Sequence, residues 1–405
     1  MKKKIFALCA VLILLSGMVV MTGRAAGLMD FFTKKSEEVT ISKEEYERLS
    51  RYAKMDQILQ YIEMYYYQEP DVDAMIENAT RGLMYGLDDP YSFYYNEAEW
   101  AEMWDDDEGE YAGVGLLLQG SAKDLSVTVI RVFKDTPSER AGIKKGDQLV
   151  RVEDIEVNMY SMQNAVNVMR GAVDEIVEIE VLRDGEYLTF QIPRAIIHVN
   201  RIEYAMMDGD VGYIALYEFA GESQREFSEA FQDLKSQGAK ALIVDLRDNG
   251  GGWVDAAVDV ADLFVGKNVL VYTEDRYGNR EEEKTQSDTA DDIPLVFLVN
   301  ENTASASEIL SGSLHDLGRA TIVGTQTYGK GIIQAVIPLG DSNDGFQMTI
   351  AQYFLPSGAK VHKEGITPDI IVEMPEDLQK HSFALADLRD PQLQAAWDAA
   401  KNLIQ

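Results

Sequence analysis

Among 405 residues there is one cysteine, Cys9, and it lies inside an apolar N-terminal run. The rest of the chain therefore has no disulfide, no cysteine nucleophile and no cysteine-bound metal cluster. Histidine is scarce as well. His198, His315, His362 and His381 must supply any imidazole chemistry, and none forms a His-Glu-x-x-His pair. Positive charge is short: 37 Lys and Arg face 69 Asp and Glu, a net charge of −32. A polyanion repels phosphate backbones, which makes nucleic acid a poor partner. There is no internal repeat, no low-complexity tract and no Gly-x-Ser-x-Gly elbow. A Ser-His-Asp site is also missing. His315 lies ten residues beyond Ser305, about 15 Å along a continuous helix, too far for a nucleophile–base hydrogen bond.

What is present is globular in composition, 46 % hydrophobic and 26 % charged. A single domain rarely exceeds about 250–300 residues, so at least two modules are expected. Lys2, Lys3 and Lys4 precede the apolar run 5–21, and Arg24-Ala25-Ala26-Gly27 is a loose small-residue cleavage region. Such a segment reads as an export address. Its length is near the lower limit for crossing a bilayer, so 1–27 is either a removed signal peptide or an uncleaved membrane anchor.

From Ser42-Lys43-Glu44-Glu45, a capping box, Leu49, Tyr52, Met55, Leu59, Ile62 and Tyr66 follow at steps of three and four. That pattern predicts an amphipathic helix ending at Pro70. A second begins with Val72, Met75, Ile76, Ala79 and Leu83, giving a helical region over 40–104. These helices either pack within the chain or pair two copies into a homodimer. Asp105-Asp106-Asp107-Glu108 reads as a solvated acidic turn at a boundary. Short alternating strands at 115–118, 127–132, 148–152 and 177–182 come next, with helices near 138 and 163–170. From about Val199 apolar strands (211–216, 241–246, 295–299, 321–323) alternate with helices (223–235, 254–264, 306–317). Strand and helix in repetition predict an α/β fold with a mostly parallel sheet and right-handed crossovers, over 199–375. Residues 376–405 read as helical and peripheral.

Two constellations carry chemistry. Gly113-Val114-Gly115-Leu116 stands just before a strand, where consecutive backbone N–H groups can converge on a carboxylate and the strand edge can accept a peptide. In the second half, Asn300-Glu301-Asn302-Thr303-Ala304-Ser305 runs from a buried strand into a helix. A serine there has unpaired N–H groups and the positive end of the dipole nearby, both suited to an oxyanion. Ser307 is a rival, but two positions along the helix it points elsewhere. Lys330, in Tyr328-Gly329-Lys330-Gly331, is a candidate base, because desolvation can leave a lysine neutral. Gln334 could orient it. In a straight strand the two would lie about 13 Å apart, so contact requires a bend at 329–331 or extended side chains.

These segments carry a resemblance. Ser138-Glu139-Arg140-Ala141-Gly142-Ile143-Lys144-Lys145-Gly146-Asp147 is similar to the signature of a PDZ domain, spanning 109–194. Leu87-Asp88-Asp89-Pro90-Tyr91-Ser92, Asp245-Leu246-Arg247-Asp248-Asn249-Gly250-Gly251-Gly252, the Ser305 and Lys330 segments, and Phe354-Leu355-Pro356-Ser357-Gly358 with Gly365-Ile366-Thr367-Pro368-Asp369 resemble the motifs of the C-terminal processing peptidases. Gly250 stands where that family often has proline, and Leu355 where it often has threonine.

The resemblance implies a crotonase- or Clp-protease-like Ser-Lys protease core with an inserted PDZ domain. It implies Ser305 as nucleophile, Lys330 as general base and Gln334 as its orienter. It places the oxyanion hole at the Ala306 N–H with one N–H from Gly251 or Gly252. Gly113, Val114, Gly115 and Leu116 would hold the C-termini of protein or peptide substrates, with no metal and no cofactor. The expected protein is an exported serine endopeptidase of the cell envelope. The reading from another class is a catalytically silent scaffold that binds protein C-termini.

Overall fold

The structure, a computed structural model, describes residues 40–121, 124–340, 343–378 and 383–404, the side chains of residues 105, 106 and 108 apart. The leader expected at 1–27, Cys9 and His381 lie outside the described residues. Among those described, no helix is long and apolar enough to cross a membrane.

The chain divides into two units after Ile76. In the first, α1 (Lys43–Ser50) is capped by Ser42, whose Oγ accepts the Glu45 N–H at 3.0 Å, as the capping-box spacing anticipates. The single helix expected from there to Tyr66 is two. A turn at Arg51 and Tyr52, whose N–H groups reach back three residues rather than four, precedes α2 (Ala53–Tyr65). Tyr46, Leu49, Tyr52, Met55, Ile58 and Tyr61 are all exposed. Helix α3 (Val72–Tyr85) follows.

In the second unit, β1 (Phe93–Tyr95) leads into α4 (Glu97–Glu108). The acidic residues 105–108, expected as a solvated turn, are the last turn of this helix. Asp107 anchors it: its carboxylate accepts the Trp253 Nε1–H at 2.6 Å and the Gly221 N–H at 3.2 Å. β2 (Glu110–Gly113) pairs antiparallel with β9 (Ala195–His198), so the two ends of the intervening module are stitched together. That module is an antiparallel sheet of β3 (Leu116–Gly120), β4 (Val127–Val132), β5 (Gln148–Val152), β7 (Ile176–Arg183) and β8 (Glu186–Pro193), with β6 (Ile155–Glu156) on β5. Helices α5 (Pro137–Ala141) and α6 (Met162–Met169) complete it. Its core is formed by Val127, Val129, Leu149, Val152, Val177, Ile179 and Val181 with Ala165 and Met169 of α6. The alternating positions give the period-two pattern of a sheet buried on one face.

The central sheet runs β10 (Ile202–Met207), β11 (Val211–Leu216), β12 (Ala241–Asp245), β15 (Leu295–Val299), β16 (Ala320–Gly324), β19 (Ile370–Ile371). All neighbours after the antiparallel edge strand β10 are parallel, as the alternation of strand and helix predicts. Helices α7 (Ser223–Ser236), α8 (Val254–Asp262) and α9 (Ala306–Asp316) cover one face, packing on Ile214, Val244, Phe297 and Ile322. α10 (Pro391–Leu403) covers the other, against Tyr213, Ile243, Val296 and Leu298. The C-terminal segment is therefore core rather than peripheral. A second sheet joins β1, β13 (Val269–Asp275), β14 (Arg280–Lys284), β17 (Ile332–Pro338) and β18 (Gly345–Phe354).

Candidate active site

Two loops at the carboxyl ends of adjacent parallel strands build the site, the expected location in such a sheet. One follows β12 (residues 246–252), the other follows β15 (residues 300–305). They are laced together. The Thr303 hydroxyl donates to the Leu246 carbonyl at 2.7 Å, and the Asn249 carbonyl accepts the Ala304 N–H at 3.0 Å and the Ser307 hydroxyl at 3.1 Å. Ser307 is thus a structural hydroxyl.

Ser305 caps α9 with φ +56° and ψ −119°, a conformation sparsely populated by residues with side chains. It is 9 % exposed. Gly251 runs directly against it. A Cβ at Gly251, where φ is +103°, would meet the Ala304 carbonyl at 2.8 Å, Ser305 Cβ at 2.8 Å and the Ala306 nitrogen at 2.9 Å. Only glycine fits there. The Ala306 N–H, the first of α9, has no partner in the helix. Of the two glycines the sequence left open, the N–H of Gly251 is donated to Asn249 Oδ1 at 2.8 Å, whereas no hydrogen bond engages that of Gly252. Of the two, the Gly252 N–H is therefore the one left open to a further acceptor. Gly250 is exposed with open space where a Cβ would stand, so the family's proline is absent from a point that the lacing does not use.

Lys330 arrives from the segment before β17. Gly331 passes so close to residue 362 that a Cβ would stand 2.2 Å from the His362 nitrogen. Its amine lies 4.8 Å from the Tyr91 ring centroid, on the ring face, and in this structure it makes no hydrogen bond to Ser305 or Gln334. Burial pushes the amine below the ordinary lysine range, while the charges of Asp89 and Glu308 pull it part of the way back. Gln334 donates from Nε2 to the Thr349 hydroxyl at 3.1 Å. Gln334 and Lys330, with Ser305, line one cavity of about 570 Å³.

Glu308 had no role in the sequence reading, although the spacing Ser-x-x-Glu is a capping-box signal. It is fully buried. Its Oε2 accepts the N–H groups of Ser305 and Lys330, both at 2.9 Å, and its Oε1 accepts the Gly329 N–H at 2.8 Å and the Thr327 hydroxyl at 2.5 Å. One carboxylate therefore ties the serine segment to the lysine segment. Burial pushes this carboxyl up, and its four donors oppose the shift.

The cavity continues past Ser305, Lys330 and Gln334. Its walls include Leu116 and Leu118 of β3 and Met162, Val166 and Met169 of α6, the groove between edge strand and helix, besides Phe219, Gly252 and Trp253 of the core. Just upstream of β3, the Val114 carbonyl accepts the Ser138 N–H at 3.0 Å and the Gly115 carbonyl accepts the Phe133 N–H at 3.1 Å.

The chain is similar to known proteins along most of its length. Residues 210–372 match the model of peptidase family S41, residues 112–193 that of the PDZ domain, and residues 18–99 that of the activating protease CtpB N-terminal domain. The chain is 34 % identical over 351 residues to the carboxy-terminal-processing protease of Bartonella bacilliformis, covering 84 % of this chain and 79 % of that one. The chain belongs to the carboxy-terminal processing peptidases of family S41. As a member it is a serine peptidase with a PDZ domain on an α/β protease core. Another relative is the carboxy-terminal processing protease CtpA of Bacillus subtilis, 31 % identical over 362 residues, 88 % of this chain and 77 % of that one. The solved structure of a photosystem II D1 C-terminal processing protease superposes with a TM-score of 0.60 at 30 % identity, covering 84 % of this chain and 96 % of that chain. Family membership sides with the enzyme against the silent scaffold.

Proposed function

We propose that this serine peptidase cleaves exported proteins presented by their free C-terminal tails, with Ser305 as nucleophile, Lys330 as general base and Gln334 orienting the lysine. Ser305 Oγ loses its proton to the neutral Lys330 amine and attacks the scissile carbonyl; the C–N bond then breaks as the departing amine takes that proton from Lys330, and a water that gives a proton to the freed lysine hydrolyses the acyl-enzyme. The Ala306 and Gly252 N–H groups receive the oxyanion, and Gly251 supplies the close approach. In the PDZ domain, taken as 109–194, Gly113, Val114, Gly115 and Leu116 receive the tail carboxylate, and the tail adds as a strand beside β3.

One observation carries this reading: the groove between β3 and α6 and the groups Ser305, Lys330 and Gln334 line the same cavity. An unstructured protein with a free tail, incubated with wild type, Ser305→Ala and Lys330→Ala and followed by mass spectrometry of the products, tests it. Cleavage by wild type alone is the expected result; cleavage by Ser305→Ala at the wild-type rate removes the assignment.

The protease core is taken as 199–375, followed by 376–405. The leader 1–27 directs export and leaves the protein secreted or membrane-anchored. Two copies associate through the helical region 40–104, an assembly supported by the exposed apolar side chains of α1 and α2, among them Tyr46, Leu49, Ile58 and Tyr61.

A further inference from the structure

The loop that carries Gly252 is held from behind by an isolated parallel bridge between Gly252 and Phe219, just past the end of β11. The Phe219 N–H donates to the Gly251 carbonyl at 2.9 Å, and the Phe219 carbonyl accepts the Trp253 N–H at 2.8 Å. In such a pairing one residue bonds to both neighbours of its partner, so the Gly252 N–H points away from Phe219. Only glycine fits the bridge: φ is +133°, and a Cβ would stand 2.1 Å from the Phe219 carbonyl oxygen. Gly252 and Trp253 both line the cavity that contains Ser305. A ladder that ends after two hydrogen bonds opens easily unless something closes it.

Asp107, in the last turn of α4, closes it. Its Oδ1 accepts the Gly221 N–H at 3.2 Å from one side, two residues past Phe219. The same oxygen accepts the Trp253 Nε1–H at 2.6 Å from the other side, one residue past Gly252. One carboxylate oxygen thus spans both segments of the bridge. Asp107 is itself fixed. Its backbone carbonyl accepts from Arg201 Nη2 at 2.5 Å, and Arg201 is buried. At Gly221, where φ is +50°, a Cβ would stand 2.8 Å from that carbonyl oxygen, so the two segments touch. The Trp253 indole also lies parallel to that of Trp104, one turn earlier on α4, with 6.1 Å between centroids and 10° between planes.

We infer that Asp107 is a positioning residue for proteolysis: it clamps the Phe219–Gly252 bridge and so holds the Gly252 N–H in the oxyanion hole. The inference rests on the proposed Ser305 nucleophile, with Gly252 as an oxyanion donor. It gives one residue of the acidic run 105–108 a defined task beside the active site.

Kinetics and a transition-state mimic test it together. With a short peptide aldehyde, Ser305 Oγ adds to the aldehyde carbon, its proton passes to Lys330, and the former carbonyl oxygen becomes an oxyanion in the hole. Asp107→Ala strands two N–H groups. Its kcat on a peptide with a free tail is expected to fall about tenfold or more, and the aldehyde to bind more weakly by a similar factor, with KM within about twofold. Asp107→Asn keeps an oxygen acceptor and is expected to recover most of both. Wild-type kcat and aldehyde affinity in Asp107→Ala, a rise in KM alone, or a kcat loss that leaves aldehyde affinity unchanged overturns the clamp while leaving Ser305 in place. So does an Asp107→Asn protein as impaired as Asp107→Ala. Should Asp107→Ala not fold, Trp253→Phe, which keeps an aromatic ring and loses the N–H, reads the same claim: lowered kcat and aldehyde affinity support the clamp, and wild-type values overturn it. An aldehyde that binds Ser305→Ala as tightly as wild type overturns the nucleophile itself, and the clamp with it.

Discussion

In the proposed chemistry at Ser305, the surroundings of Lys330 decide which residue holds a proton. The base must be unprotonated, so kcat/KM is low below the lysine's pKa and rises as the pH passes through it. Because burial lowers that pKa from the ordinary lysine value, the rise is expected at a lower pH than a solvated lysine would give. A profile that stays flat from neutral to alkaline pH contradicts a lysine base. Glu308 is the second residue on which the site depends. Glu308→Ala would strand the N–H groups of Ser305, Gly329 and Lys330 without an acceptor. At about 1–3 kcal/mol for each buried unsatisfied donor, the loss is about 3 kcal/mol or more. A melting temperature several degrees lower, together with lost activity, is the expected outcome; calorimetry checks it. Ser305 and Lys330 could be nominated from the sequence because their patterns, a serine at a helix start and a lysine between glycines, are local. Glu308, one turn beyond Ser305, could not, since its four partners come from segments that only the fold brings together.

Among the elements, the parallel strands were the easiest to read, because β11, β12 and β15 are buried on both faces and appear as unbroken apolar runs. The last turn of α4 misled, since four successive acids look solvated until Asp107 is seen accepting from Trp253 and Gly221. Helix α10 misled in the same way. Its burial rests on small residues, Ala396 and Ala400, which carry little hydropathic signal. Arg247 ties this helix to the glycine loop, donating to Asp245 at 2.6 Å, to Asp390 at 2.7 Å and to Gln392 at 3.1 Å. Both carboxylates are buried. Arg247→Ala leaves them uncompensated and is expected to destabilise the protein by about 3–5 kcal/mol. Denaturant unfolding reads that loss; a midpoint equal to wild type contradicts the role given to this pair.

Across the whole molecule, named side-chain contacts seat the PDZ domain on the protease core. The Arg131 guanidinium lies 3.5 Å from the Tyr217 ring centroid and donates to the Asn200 carbonyl at 2.6 Å, and Lys145 pairs with Asp248 of the glycine loop at 2.8 Å. The shared cavity makes tail capture and cleavage parts of one path. Amidating the C-terminus of a peptide substrate removes the charge proposed to be received by the Gly113–Leu116 turn, and Val166→Asp sets a carboxylate in the groove wall. Each is expected to raise KM for tailed substrates about tenfold or more, with little change in kcat; equal KM for acid and amide contradicts tail capture. The central claim, an amine kept neutral so that it can activate a helix-capping serine, is tested most directly by intact-mass detection of acyl-Ser305 after mixing with an activated ester. Wild type is expected to gain the acyl mass within one turnover, while Lys330→Arg, whose side chain stays charged, gains none. Acylation of Lys330→Arg at the wild-type rate would contradict it.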